Sequence, residues 1–509
     1  LFTLSYTGIK GGLVVIAADD PGIHSSQNEQ DNRHYARSAK LPMLEPSDSD
    51  EALRFVKLAF EMSEKNDCPV MVRSTTRVSH GQSLAVEGAR QDRPAPEGPV
   101  KQPPKWVMLP AFARGRHPLV EERMARLAIE AETFPENKIE AGDKKIGIIA
   151  NGVAYQYARE AFPNASFLKL GMAWPLPKEL FKKFAGMVEK VFVVEEGDPF
   201  IEDWARGLGI AVTGKSVFPL LGEFSPAIVK RGILGADAAG ADIKMDPALP
   251  PRPPIMCPGC PHRGLYAALK RLNLFVCGDI GCYTLGAPPP LAGLDTCLCM
   301  GAGIGQSFGI EKALGRGDKS VAVIGDSTFF HSGITPLMDM AYNGSKGTVI
   351  ILDNRTTAMT GRQGNPGAGY DTHGDKTPMV DIPKLCEAIG IKRVRTVDPY
   401  KLDETEAALR EEVAAPEASV VISLSPCMLI PAAKEVKKPP LKVNLTKCSG
   451  CKTCFKVACP SIAFIAEDGE YVNKDGKTKK RKGHAQVDDL NCTGCKVCAQ
   501  VCPNQAIEE

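Results

Sequence analysis

Seventeen cysteines occur in this 509-residue chain, and eight of them lie from Cys448 onward. They read C-S-G-C-K-T-C-F-K-V-A-C-P (Cys448 to Pro460) and C-T-G-C-K-V-C-A-Q-V-C-P (Cys492 to Pro503). Three thiolates at this spacing hold three irons of one cube, and the Cys before each Pro crosses to the other cube. The pattern predicts one [4Fe–4S] cluster on Cys448, Cys451, Cys454 and Cys502, and a second on Cys492, Cys495, Cys498 and Cys459. The second run keeps the standard three-residue gap before its C-P. The first has four residues, Phe455 to Ala458, which leaves the type of its cluster open. Structural zinc is the alternative, although zinc takes four ligands per ion and seldom shows this crossed arrangement. So dense a set of thiols fits a reducing compartment better than a disulfide framework. Between the runs, Lys474 to His484 is a basic insertion that reads as a solvated hairpin tip, with docking of an acidic redox partner as the other reading.

A second chemical signal runs from Ser320 to Asn354. S-V-A-V-I-G-D-S and T-V-I-I-L-D-N are β-branched runs that end in polar residues, as buried parallel strands do where they reach a site. If the two strands are neighbours, Asp326 and Asn354 meet at one rim of a sheet, where open α/β sheets bind ligands. A carboxylate and an amide oxygen there suit a hard divalent cation holding a diphosphate. The alternative is two core strands capped by ordinary turn residues. Upstream, D-T-C-L-C-M-G-A-G-I-G-Q is a Gly-rich turn opening a helix. Bare backbone at Gly301 and Gly303 could approach a diphosphate, or serve close helix packing.

Other candidates are weaker. The loop Asp19 to Arg33 is dense in donors and acceptors, among them His24, Ser25, Ser26, Gln27, Gln30 and Arg33. It reads as a site at a strand end or as a solvated cap. Glu195 and Glu196 end a strand and read as structural. Cys68 reads as a buried apolar thiol.

These residues need elements to carry them. Strands are expected over Gly11–Asp20, Cys68–Ser74, Ile146–Gly152, and in S-F-L-K-L-G-M and V-F-V-V-E-E-G. Helices are expected over S-D-S-D-E-A-L-R-F-V-K-L-A-F-E-M-S, His117–Glu132, E-L-F-K-K-F and F-I-E-D-W-A-R-G-L-G. Pro-rich stretches separate the units. The divisions are 1–88, an incomplete first α/β domain; 89–143, linker and helix; 144–235, a second α/β domain; 236–254, linker; 255–436, a third α/β domain; and 437–509, the cysteine-rich tail. The net charge of +2 gives no reason to expect nucleic acid or a charged membrane surface as partner. No apolar run is long enough to span a bilayer, and no charged-then-apolar leader opens the chain. The opening L-F-T-L-S-Y-T-G suggests that a preceding segment is missing.

Taken together, D-D-P-G-I-H-S-S-Q-N-E-Q-D-N-R, C-P-G-C-P-H-R-G, G-D-I-G-C-Y-T-L-G, D-T-C-L-C-M-G-A, G-D-S-T-F-F-H-S-G and L-D-N-R-T-T-A-M-T-G resemble the 2-oxoacid:ferredoxin oxidoreductases. Within them the likeness is to the large (alpha) subunits of indolepyruvate ferredoxin oxidoreductase, and it covers essentially the whole chain. It implies an α/β multidomain fold: doubly wound parallel sheets that bind thiamine diphosphate, a transketolase C-terminal-like domain and a bacterial-type 2[4Fe–4S] ferredoxin domain. It implies Mg2+ on Asp326, Asn354 and the carbonyl of Thr356, with Gly325 and Ser327 beside them. The Glu that activates the cofactor would lie upstream of Leu1. It further implies a proximal [4Fe–4S] cluster on Cys257, Cys260, Cys282 and Cys427. His24 and Arg33 are candidates for a substrate carboxylate, Arg for its bidentate fork; His331 and His262 are candidate polar contacts. The expected activity is oxidative decarboxylation of an aryl 2-oxoacid with coenzyme A, reducing ferredoxin. The expected setting is the cytoplasm, in a hetero-oligomer with a smaller beta/gamma-type subunit. A non-oxidative thiamine decarboxylase and an electron-relay subunit remain alternatives.

Overall fold

A computed structural model describes residues 1–90, 98, 100–235, 249, 253–315 and 320–509. The chain forms two compact units, Leu1–Leu249 and Pro250–Glu509. Most of the linker expected at 236–254, and residues 91–97 and 99 of the first one, lie outside the described residues. Among the described residues no helix is long and apolar enough to cross a membrane.

The first unit holds two sheets. Strands β1 (Val14–Asp19), β2 (Met43–Leu44) and β3 (Val70–Thr75) are joined by β7 (Met172–Trp174) in the order β1-β3-β2-β7. Strands β4 (Lys138–Glu140), β5 (Asp143–Asn151), β6 (Ala165–Leu170), β8 (Lys190–Val194) and β9 (Val212–Thr213) pair in the order β4-β6-β5-β8-β9. The helix Ser49–Asn66 begins where the Asp48 side chain accepts from the Glu51 amide, satisfying a donor that the first turn leaves free. It buries Phe55, Ala59 and Met62 against Val70, Val72 and Leu127. The helix expected from His117 starts earlier, at Pro110, because proline's fixed φ suits the first helical turn. The two-residue β2 and three-residue β7 were not foreseen; runs so short carry no period.

In the second unit, β10 (Phe275–Gly278), β11 (Thr296–Cys297), β12 (Ser320–Gly325), β13 (Thr348–Asp353), β14 (Arg393–Val397) and β15 (Ser419–Leu424) form a parallel sheet ordered β11-β10-β12-β13-β15-β14. Both faces are covered. Val321 and Val323 pack with Leu265, Leu269 and Leu409 on one side; Ala322 and Ile324 pack with Leu337, Met340 and Ile382 on the other. That alternation follows from the two-residue period of a strand. Truncating such a residue, Ile324→Ala for instance, costs about 2–5 kcal/mol. In the tail, Lys442–Val443 pairs antiparallel with Ile507–Glu508, tying its ends together. Gly469–Val472 pairs with Thr478–Arg481, so the basic insertion is a hairpin.

Candidate functional site

Strands β12 and β13 are neighbours, with Gly325 opposite Leu352. Asp326 and Asn354, the residues just past them, therefore share one rim. A cavity opens there, lined by Gly325, Asp326, Ser327, Asn354, Thr356 and Thr357, with Ile280, Tyr283, Met300 and Leu352 as apolar wall. A side chain at position 325 would meet Tyr283 at 2.7 Å, so this strand must end in glycine. Arg355 sits between Asn354 and Thr356 at φ 63°, an unusual conformation for a non-glycine residue. Its side chain pairs with Asp353 at 3.5 Å, while Asn354 and Thr356 line the cavity.

Asp326 is 3 % exposed. It accepts from the Ser327 amide at 2.8 Å and from Asn365 at 3.2 Å. Burial, reinforced by the neighbouring Asp353 carboxylate, pushes its pKa up to about 7. A buried carboxylate so short of positive charge is a poor structural element and a good ligand for a hard cation. The donor set, Asp326 with Asn354 and Thr356, thus fits Mg2+ and a diphosphate.

His262 lies beside this set. Its Nε2 is 3.4 Å from the Asn354 amide nitrogen, and its ring meets Tyr283 edge-on at 6.0 Å. Burial holds its pKa down at about 4, so it is a neutral hydrogen-bonding group. Tyr283 and Asp279 were missed as functional positions. Tyr283 donates to Asp279 at 3.1 Å, and Asp279 also takes the Gly301 amide.

The Gly-rich turn is explained by packing. A Cβ on Gly303 would lie 2.8 Å from the carbonyl oxygens of Cys277 and Gly278, so glycine lets the helix Ala302–Leu314 press on β10. Neither Gly301 nor Gly303 is among the residues lining the cavity, and the Gly301 amide is engaged by Asp279. Of the two readings of this turn, diphosphate contact and close helix packing, the packing is the one seen in the structure. His331 is exposed and bonds to Ser332; it too lies outside the cavity lining.

The four cysteines expected at a proximal cluster converge. Cys257, Cys260, Cys282 and Cys427 line one cavity. Burial raises the Cys282 pKa to about 11, with Cys427 and Cys257 adding to it. His262, Cys282, Asn354 and Ala358 belong to the lining of both this cavity and the Asp326 cavity. In the tail, Cys448, Cys451, Cys454 and Cys502 line a pocket with Phe455 and Phe464. The Cys498 pKa is raised by burial and then by Cys495, Cys459 and Cys492.

In the first unit, Arg33 is fully buried. It pairs with Glu195 at 2.5 Å and with Asp31 at 2.6 Å, and donates to the carbonyls of Glu196 and Asp198. Its fork is occupied by the protein itself, so the expectation that Arg33 takes a substrate carboxylate is corrected to an ion-pair role. His24 is paired with Glu223 at 3.2 Å. Glu195 caps the following helix by accepting from Ile201 and Glu202, and Glu196 accepts from Phe224. Cys68 is buried, and burial raises its pKa to about 11.

Comparison with known proteins places this geometry. A thiamine pyrophosphate enzyme, C-terminal TPP binding domain, matches residues 279–423, and a 4Fe-4S dicluster domain matches residues 440–504. The chain is 39 % identical to indolepyruvate oxidoreductase subunit IorA of Methanothermobacter thermautotrophicus, over 99 % of this chain and 82 % of that one. It is 38 % identical to the subunit of that name from Archaeoglobus fulgidus, over 100 % of this chain and 83 % of that one. Among solved structures, a 2-oxoglutarate:ferredoxin oxidoreductase from Magnetococcus marinus aligns at 17 % identity and a TM-score of 0.31, over 35 % of this chain and 66 % of that one.

Proposed function

The chain belongs to the family of indolepyruvate oxidoreductase subunits IorA, and on that premise we propose that it is the thiamine-binding, electron-relaying subunit of a CoA-acylating 2-oxoacid:ferredoxin oxidoreductase. The 2-oxoacid is aryl, of the indolepyruvate kind. The reaction converts 2-oxoacid, coenzyme A and oxidised ferredoxin to acyl-CoA, CO2 and reduced ferredoxin. Thiamine diphosphate, when bound, supplies the electron sink that lets CO2 leave the keto carbon. The protein's task is to hold, orient and drain.

Asp326 and Asn354, with the Thr356 carbonyl, would hold Mg2+ and through it the diphosphate. Ser327, hydrogen-bonded to Thr357 at 2.8 Å, fixes the turn that carries Asp326. Neutral His262 positions Asn354. Ile280, Met300 and Leu352 keep the cavity apolar, which strengthens every charge interaction inside it. Cys257, Cys260, Cys282 and Cys427 would hold a third [4Fe–4S] cluster. The eight tail cysteines would hold the other two, at potentials near −400 mV for comparable carriers. A smaller beta/gamma-type subunit, ferredoxin and a reducing cytoplasm complete the system.

The observation that carries this reading is the wall of four residues common to the Asp326 cavity and the cysteine cavity. An electron acceptor one wall away from the cofactor pocket is what separates oxidative from non-oxidative decarboxylation. The test is anaerobic mixing of the holoenzyme with a panel of 2-oxoacids and coenzyme A, following ferredoxin reduction and cluster bleaching. Reduction with aryl 2-oxoacids is expected. Aldehyde release without bleaching would make the protein a non-oxidative decarboxylase, and absence of bound thiamine would make it a relay.

A further inference from the structure

Arg263 directly follows the shared-wall residue His262 and is 2 % exposed. Among the described residues its hydrogen bonds run to main-chain carbonyls alone. On one side it donates to Met256 and, at 3.2 Å, to Cys257. On the other it donates to Val457 at 3.0 Å and to Ala458. One guanidinium thus bridges the first cysteine of the inner cavity and the two residues just before Cys459 of the tail. A buried cation without a carboxylate costs several kcal/mol unless opposite charge is near. Burial works against its charge, and the nearest groups that would offset it are Cys459, Cys260, Cys495 and Cys257 once they are cluster thiolates. These thiols come from two different cluster sets.

The surroundings support the junction. A Cβ on Gly259 would lie 2.0 Å from Thr493 Oγ1, so the C-P-G-C turn presses on the C-T-G-C turn. Tyr400 donates to the Gly259 carbonyl at 2.7 Å and accepts, through its own carbonyl, from Gln500 at 2.7 Å. The four-residue gap of the first tail run also finds a reason. Ala458 adopts φ 54°, and its carbonyl is one of the two that receive Arg263.

We propose that Arg263 is a positioning residue for electron transfer. It clamps the Cys257/Cys260 end of the inner cavity to the Cys459 end of the tail and keeps a fixed positive charge between them. The order of flow follows: inner cavity, then the cluster of Cys492, Cys495, Cys498 and Cys459, then the cluster of Cys448, Cys451, Cys454 and Cys502. This deepens the function proposed above and rests on its inner cluster. A positive charge favours the reduced, more negative state of each neighbouring cluster, and such surroundings set cluster potentials.

The experiment is a potentiometric EPR titration of the holoenzyme as wild type, Arg263→Gln and Arg263→Lys, with iron content measured on each. In Arg263→Gln the potential of the Cys459-ligated cluster should become more negative, and reduction of the tail after mixing with 2-oxoacid should slow by about tenfold. Arg263→Lys should keep the wild-type potential. Unchanged potentials in both variants, or equal shifts in both, overturn the proposal. If Arg263→Gln loses its clusters, spin–spin splitting between the inner and Cys459-ligated clusters in the wild type decides: splitting supports the junction and its absence overturns it. Failure of the inner cluster itself reads differently, as about eight irons per wild-type chain instead of about twelve.

Discussion

The guanidinium of Arg33 and the carboxylate of Glu195 meet at 2.5 Å with neither group exposed. Arg33 opens the helix Arg33–Ala39 and Glu195 directly follows β8, so the pair ties that helix to the end of a strand in the second sheet. Removing one partner strands the other as an unpaired buried charge, so Arg33→Met is expected to cost about 3–5 kcal/mol. All three tryptophans, Trp106, Trp174 and Trp204, lie in this unit, so urea unfolding followed by tryptophan fluorescence reads the loss there. At a temperature where the variant is folded, KM for the 2-oxoacid should be unchanged. A raised KM with stability intact would restore Arg33 as a substrate contact.

Glu196 gives a pH dependence. Burial raises its pKa from 4.5 to about 7, so the folded protein prefers it protonated. Its contribution is intact below the unfolded value of 4.5 and is lost as pH rises through 7. Glu196→Gln keeps an oxygen for the Phe224 amide, which Glu196 holds at 2.7 Å. Thermal melts should show the variant more stable than wild type at about pH 8, by up to about 3 kcal/mol. Below about pH 4.5 the two should melt together, and a gain that persists there would assign the effect to something other than ionisation.

Asp326 should behave as a ligand and not as a brace. In protein stripped of cofactor, Asp326→Asn removes a buried charge and is expected to melt at the same temperature as wild type or higher. Adding thiamine diphosphate with Mg2+ should then raise the melting temperature of wild type only, with affinity in the variant lower by at least about a hundredfold. Tail iron should be untouched. An equal ligand-induced shift in the two proteins would remove Asp326 from the metal site.

Cys427→Ala separates the inner thiols from the tail. Iron per chain should fall from about twelve to about eight, with both tail EPR signals kept. Ferredoxin reduction should collapse while thiamine binding persists. Unaltered iron in this variant would mean that Cys427 ligates none of it.

Much of this was legible in the sequence because the signals are local. The tail cysteines fall at fixed spacings, and β12 and β13 announce themselves as β-branched runs ending in Asp326 and Asn354. Their adjacency was a condition that only the sheet order could meet. What stayed hidden depends on burial and long-range contact. Arg33 reads as a free fork until Glu195, distant in sequence, is seen to hold it. Arg263 looks like one more charge in C-P-G-C-P-H-R-G until the chain returns with Val457 and Ala458. Gly303 satisfies a phosphate-loop pattern and a helix-packing rule alike, and only the carbonyls of Cys277 and Gly278 separate them.

The four residues shared by the two cavities form a partition between them. On the proposed reading, that partition is also the place where product identity can be rewritten. A carboxylate introduced at Ala358, its smallest member, would make the inner cluster harder to reduce and so slow the electron's first jump without replacing Asp326 or any cysteine. The same scaffold would then be steered from making a thioester toward releasing an aldehyde.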